Sequence, residues 1–258
     1  MPQTTIIVDD LHKAYRRGAN ETPVLRGIEL AIGAGECVFL AGPSGCGKTT
    51  LLSILGCILS PDRGRVEILG RDLGRLDAAA RARLRRDHIG FVFQRFHLIR
   101  GLNALENVAV PLTLRGVAPQ VANRRARQLL ADVGLDDKAA SHPARLSTGQ
   151  CQRVALARAL AGEPELVLSD EPTASLDAQN GQEVMRLLRR LTCEQGKTAV
   201  VVTHDHRIFD FADRVLYLDG GRIHPPPARE PDATDESAAR GNAGRGNSSH
   251  TVFAHTGG

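Results

Sequence analysis

The sequence predicts an α/β fold: a mostly parallel sheet flanked by helices, preceded by an antiparallel β segment. Three observations predict it. Short apolar runs bounded by turn residues alternate with helical patterns along most of the chain. The loop GPSGCGKTT, residues 42–50, stands between one such run and a helical pattern. Residues 6–41 read mostly as strand, with turns around 18–20 and 33–35, as in antiparallel pairing.

The elements follow in order. TTIIVDDL, VLRGIELAI and ECVFLAGP are the first strands. A helix is expected over 48–59, then the strand VEILG at 66–70. Residues 71–88 read as a very basic helix bearing Arg75, Arg81, Arg83, Arg85 and Arg86; a solvated face or contact with anionic lipid headgroups would both use it. IGFVFQ at 89–94 is a strand. Residues 103–134 read as helical, broken at Pro111 and Pro119. RLSTGQCQRVALARAL opens a further helix at Ser147. ELVLSD at 165–170 is a buried strand, and residues 178–194 carry Val184, Leu187, Leu188 and Leu191 at helical spacing. TAVVVTHD at 198–205 is a strand, and RVLYLDGGRI at 214–223 a hairpin turning at Asp219 and Gly220. The remainder, 225–258, is rich in Pro, Gly, Ser and charge and is expected to be disordered.

The chain has 258 residues, the upper end for one domain, and 42% of them are hydrophobic, enough for a sizeable core. Only 3% are aromatic and none is Trp, which argues against base stacking along a nucleic-acid strand. The formal charge of +4 is too modest to require a polyanionic partner. The odd set Cys37, Cys46, Cys57, Cys151 and Cys193 has no C-x-x-C spacing, so neither a zinc site nor a disulfide framework is expected. No signal peptide and no apolar run of membrane-spanning length is read, so a soluble chain is expected.

The loop fits G-x-x-x-x-G-K-[ST]. Gly42, Pro43, Ser44, Gly45, Cys46 and Gly47 form a curl whose N–H groups point at phosphate oxygens. Lys48 supplies a charge to the β/γ-phosphates, Thr49 offers a hydroxyl to Mg²⁺, and Thr50 completes the set of nucleotide-binding residues in this loop. Cys46 is read as a small filler in preference to a redox switch. Asp170 and Glu171 end an apolar strand, which in a parallel sheet lies beside such a loop. There Asp170 can hold Mg²⁺ and Glu171 can orient or deprotonate an attacking water. His204, at the end of another strand, can hydrogen-bond the γ-phosphate, and Gln94 can ligate Mg²⁺ or hold water.

Together these motifs resemble the nucleotide-binding domain of ATP-binding cassette (ABC) transporters over residues 6–223. The resemblance rests on the phosphate loop, Gln94 as the Q-loop, LSTGQ at 146–150 as the signature, LVLSDE as the Walker B strand, ASLD at 174–177 as the D-loop, and His204 as the switch histidine. It implies a P-loop NTPase with a RecA-like parallel-sheet core, an N-terminal antiparallel β subdomain and a helical signature subdomain at about 95–160, all within residues 1–224. It further implies ATP and Mg²⁺ as ligands, with Tyr15 stacking on adenine and Asp177 in the nucleotide site. Two copies pair head to tail, so that Ser147, Gly149 and Gln150 of one chain complete the phosphate site of the other. Thr148 replaces the usual Gly, and its methyl is expected to crowd that contact.

FVFQRFHLIRGLNALENVAVPL is similar to the lipoprotein-release and macrolide-export subgroup, and also to a cell-division ATPase that moves no cargo. The implied partner is a membrane permease, whose coupling helix would meet Phe96, Leu98, Ile99 and Leu102 between Arg95 and Arg100. The implied location is peripheral, at the cytoplasmic face of the inner membrane. A non-transporting mechanotransmitter is the first alternative. An ABC ATPase acting on DNA or ribosomes is the second; the paired cassettes or long coiled-coil insertions of that class are not seen in the sequence.

Overall fold

The computed structural model describes residues 4–18 and 20–224; the tail expected to be disordered lies outside them. Two sheets organise the chain. In the first, β1 (Thr4–Arg17) pairs antiparallel with β2 (Asn20–Gly33) and with β4 (Arg63–Ile68), which pairs with the short β5 (Arg71–Asp72). Inward residues alternate along these strands: Ile6, Val8, Ile28, Leu30 and Ile32 are buried.

The second sheet has the order β10-β9-β3-β8-β7-β6. Its members are β3 (Cys37–Ala41), β6 (Ile89–Val92), β7 (Leu166–Asp170), β8 (Thr198–Val202), β9 (Arg214–Asp219) and β10 (Arg222–His224). All neighbours are parallel except the β9–β10 hairpin. β3 and β8 are buried along their whole length, which explains their unbroken apolar sequences. The period of two splits each strand between two cores. Phe39, Val167 and Val201 face helices α3 (Ala104–Leu114), α4 (Pro119–Asp132), α5 (Thr148–Leu160) and α6 (Ala178–Leu191). Val38, Leu168 and Val200 face α1 (Lys48–Leu55) and the first sheet.

The strands and the parallel core match expectation; several boundaries do not. α1 stops at Leu55 because Gly56 and the left-handed Cys57 (φ 58°) follow. Gly56 is also where α1 passes β6: a Cβ there would lie 1.9 Å from Phe91 Cζ. The basic segment 71–88 is not one helix. It closes the β4–β5 hairpin at Gly70 (φ 73°), makes one 3₁₀ turn (Leu73–Arg75), and only then forms α2 (Ala78–His88). Two aspartates decide this, Asp72 accepting from Gly74 N at 2.9 Å and Asp77 from Ala80 N at 2.6 Å. Arg85 then spends its guanidinium on the Cys57 carbonyl (2.8 Å), and Arg86 pairs with Asp87. Pro111 does not break its helix but sits inside α3; the break comes at Gly116 (φ 75°), before Pro119 starts α4. α6 ends at Leu191, short of the expected 194, and a 3₁₀ turn (Cys193–Gln195) takes over. Gln94 and His204 lie two residues beyond their strands, not at their ends.

Asn107 of α3 fixes the chain entering the helical region. It is 0% exposed; its amide donates to Ile99 O, Leu102 O and Asn103 O, and its Oδ1 accepts from Ile99 N at 2.7 Å. Asn107→Ala would leave the Ile99 N–H and the Leu102 carbonyl without these partners, while Ile99 O and Asn103 O keep their bonds from the Leu102 and Asn107 N–H groups. A destabilisation of ~2–4 kcal/mol is expected in urea melts; a change within ~0.5 kcal/mol would contradict this account.

Candidate active site

The site stands at the carboxyl edge of the parallel sheet. β3 ends at Ala41 and α1 starts at Lys48, so residues 42–47 must reverse the chain within one loop. Gly42 (φ 145°) and Gly47 (φ 110°) are required by conformation and by space: added Cβ atoms would lie 2.0 Å from Leu218 O and 2.9 Å from Leu25 Cδ2. No side chain caps α1, leaving its first N–H groups free for an anion.

Lys48 is 7% exposed, and its Nζ donates to Gly42 O and Pro43 O at 2.8 Å each. The loop thus holds its own cation across its mouth. Cys46 Sγ lies 3.9 Å from the same nitrogen. Thr49 Oγ1 donates to Asp170 Oδ1 at 3.4 Å, bringing α1 and β7 together. Burial pushes the Asp170 carboxyl up and the neighbouring Glu171 adds to this, while Thr49 and Lys48 oppose it. A carboxylate so placed favours a bound cation.

Glu171 takes a left-handed backbone (φ 48°), unusual outside glycine, held by its N–H donating to Val202 O at 2.8 Å. The turn aims its side chain, only 12% exposed, at His204, with Oε1 2.7 Å from Nδ1. A cavity of about 650 Å³ gathers Tyr15, Gly42–Gly45, Gly47, Lys48, Thr49, Thr50, Gln94, Asp170, Glu171 and His204. Tyr15 is half exposed, its hydroxyl 3.4 Å from Thr50 Oγ1. Val24 also lines this cavity and was not singled out from sequence, since one apolar residue in a strand gives no signal.

Ser147, Gly149, Gln150 and Asp177 do not line the cavity of their own chain. Ser147 and Gln150 form a reciprocal capping box at the start of α5: Ser147 Oγ accepts from Gln150 N at 3.2 Å and Gln150 Oε1 from Ser147 N at 2.9 Å. Asp177 caps α6 through Asn180 N at 2.9 Å. Gly149 is buried against Asn180, where a Cβ would come within 3.2 Å of Oδ1. Thr148 is exposed at the start of α5.

The segment after Gln94 is more built than its sequence revealed. Phe96 (φ 58°) and His97 (φ 46°) are left-handed, and their carbonyls both accept from Arg158 of α5 at 2.6 Å. Arg158 therefore ties the far end of the LSTGQ helix to the chain beside Gln94. Leu98 packs into the core, whereas Ile99 is 46% exposed. Phe91, Phe93, His97, Pro111 and Pro164 line a groove of about 240 Å³ nearby.

A glycine-rich loop between a buried strand and an uncapped helix, with an Asp-Glu pair on a parallel neighbour, defines a P-loop nucleotide-binding site. The family model described as ABC transporter matches residues 25–174, and the chain belongs to that family. It is an ATP-binding, ATP-hydrolysing cassette, as the motifs led one to expect. It is 44% identical over 222 residues to the macrolide export ATP-binding/permease protein MacB of Salmonella typhimurium (strain LT2) and of Escherichia coli (strain K12). That alignment covers 86% of this chain but 34% of each relative, so the chain spans about a third of their length. Among solved structures, the dimeric post-hydrolysis state of the ATP-binding cassette MJ0796 bound to ADP and Pi shares 40% identity with a TM-score of 0.81. That match covers 88% of this chain and 99% of the other. Among the described residues, no helix is long and apolar enough to cross a membrane.

Proposed function

We propose that residues 1–224 form the motor of a membrane export or lipoprotein-extraction system, working as a head-to-tail dimer of two such chains. The observation that carries this reading is the separation of the two anion-seeking elements. The phosphate loop opens into the cavity, whereas Ser147 and Thr148, at the start of α5, are exposed and absent from its lining. The relative MJ0796 is described as a dimer. In a two-fold pair, each LSTGQ start would meet the γ-phosphate held by the other chain's loop.

The residues divide the chemistry. ATP entering the loop takes the Lys48 ammonium from the Gly42 and Pro43 carbonyls, exchanging neutral acceptors for phosphate oxygens. Tyr15 offers its exposed ring to adenine. Thr49 and Asp170, with Gln94 at the rim, supply the hard oxygen donors that suit Mg²⁺. When bound, the metal neutralises charge on the β- and γ-phosphates. Glu171 accepts a proton from the attacking water, and His204, holding the Glu171 carboxylate at 2.7 Å, fixes its direction toward the γ-phosphate. ATP would then hold the dimer shut, and hydrolysis would release it.

The load is a permease at the cytoplasmic face of the inner membrane, contacting the partly buried Phe96, the exposed Ile99 and the neighbouring groove. Arg158 would pass motion there to the LSTGQ helix. ATPase activity per chain should rise with chain concentration, as dimerisation requires, and Ser147→Ala should lower it. A flat concentration dependence together with an unaffected Ser147→Ala would overturn the shared-site reading.

A further inference from the structure

The first turn of α6 lies against the LSTGQ end of α5, and one side chain makes the contact. Asp177 binds Asn180 twice: Asn180 N donates to Oδ1 at 2.9 Å and Asn180 Nδ2 to Oδ2 at 2.6 Å. The Asn180 backbone N–H, and then its amide, hold the Asp177 carboxyl below the ordinary range. With Nδ2 committed to Asp177, the amide presents Oδ1 to α5. There it meets Gly149, the buried glycine of LSTGQ. A Cβ on Gly149 would lie 3.2 Å from Asn180 Oδ1 and 3.5 Å from its Cγ.

This contact has little give. Swinging the amide away from α5 would break its bond to the Asp177 carboxylate, a charge-assisted bond and so one of the stronger kind. The turn itself is anchored as well. The next residue, Gly181, is buried against Thr173, where a Cβ would be 3.4 Å from Cγ2. Thr173 is 2% exposed, and its Oγ1 donates to Asp205 Oδ2 at 3.3 Å. Asn180 therefore fills the space between Asp177 and Gly149, and position 149 has room for glycine alone.

We infer that Asn180 is a positioning residue for the shared nucleotide site: it locks the start of α6 to the start of α5, so that residues 147–150 meet the partner chain's γ-phosphate at a fixed height. This rests on the head-to-tail reading above. Asn180 does not line the cavity of its own chain, so its effect falls on closure of the pair and not on entry of ATP into the loop. Gly149 then owes its lack of a side chain to Asn180 as well as to the approaching phosphate.

The test uses the full chain carrying Glu171→Gln. Adding Asn180→Ala should leave its affinity for ATP within about twofold but raise the dissociation constant of the ATP-bound dimer about tenfold, the loss of one charge-assisted hydrogen bond. Gly149→Ala should weaken the dimer, and Asn180→Ala added to it should recover part of that loss, because the colliding amide is gone. A purely structural role for each residue predicts two losses that add. Hydrogen exchange on the nucleotide-free chain needs no dimer: Asn180→Ala should speed exchange in the peptide 145–152, which carries the capping box. An unaltered dimer constant in Asn180→Ala, or a double variant no tighter than Gly149→Ala alone, would overturn the inference. If the Glu171→Gln chain stays monomeric with ATP, the head-to-tail reading fails by itself; faster exchange in 145–152 would still uphold the lock, and unchanged exchange would overturn it.

Discussion

Glu171→Gln is expected to bind ATP and to hydrolyse it about 10²–10⁴-fold more slowly, the contribution of a positioned general base. The substitution isolates one property. Gln keeps an oxygen to accept from His204, the backbone stays at the same left-handed turn, and the N–H bond to Val202 O survives. Only the carboxylate's ability to take a proton is lost. Single-turnover hydrolysis measured beside nucleotide binding separates the two effects. Turnover within tenfold of the unsubstituted chain would remove Glu171 as the base.

Lys48→Ala is expected to weaken ATP binding at least 100-fold, equivalent to ~2.7 kcal/mol. The amine is buried and already aimed across the loop, so little ordering cost opposes its transfer to phosphate. Charge-assisted bonds to phosphate are each worth ~1.5–3 kcal/mol, enough to account for the loss. Calorimetric titration with ATP checks it, and a melting curve of the free variant shows whether the loop still folds. Affinity within threefold in a folded variant would contradict the loop's assignment.

How much was legible beforehand follows from the range of each signal. The phosphate loop, the Asp170-Glu171 strand end and the parallel core were legible because glycine spacing and unbroken apolar runs are local features with few physical explanations. The break before α2 was missed because arginine-rich sequence looks helical throughout, while two aspartate caps outweighed it. Pro111 was misread as a breaker; α3 continues past it, packed against α4 and α5. Arg158 could not be found from sequence, since its partners are backbone carbonyls about sixty residues away. The contact between Glu171 and His204 was likewise invisible: each residue had been assigned a role, but the turn at Glu171 that joins them is a backbone property.

The central claim is that ATP closes two chains on each other through LSTGQ. Sedimentation of the Glu171→Gln chain, with and without ATP and Mg²⁺, tests it most directly. The account predicts a monomer without nucleotide and a dimer with ATP that dissociates when Ser147 is replaced by Arg. A monomer at saturating ATP, unchanged when Thr148 is restored to Gly, would contradict it.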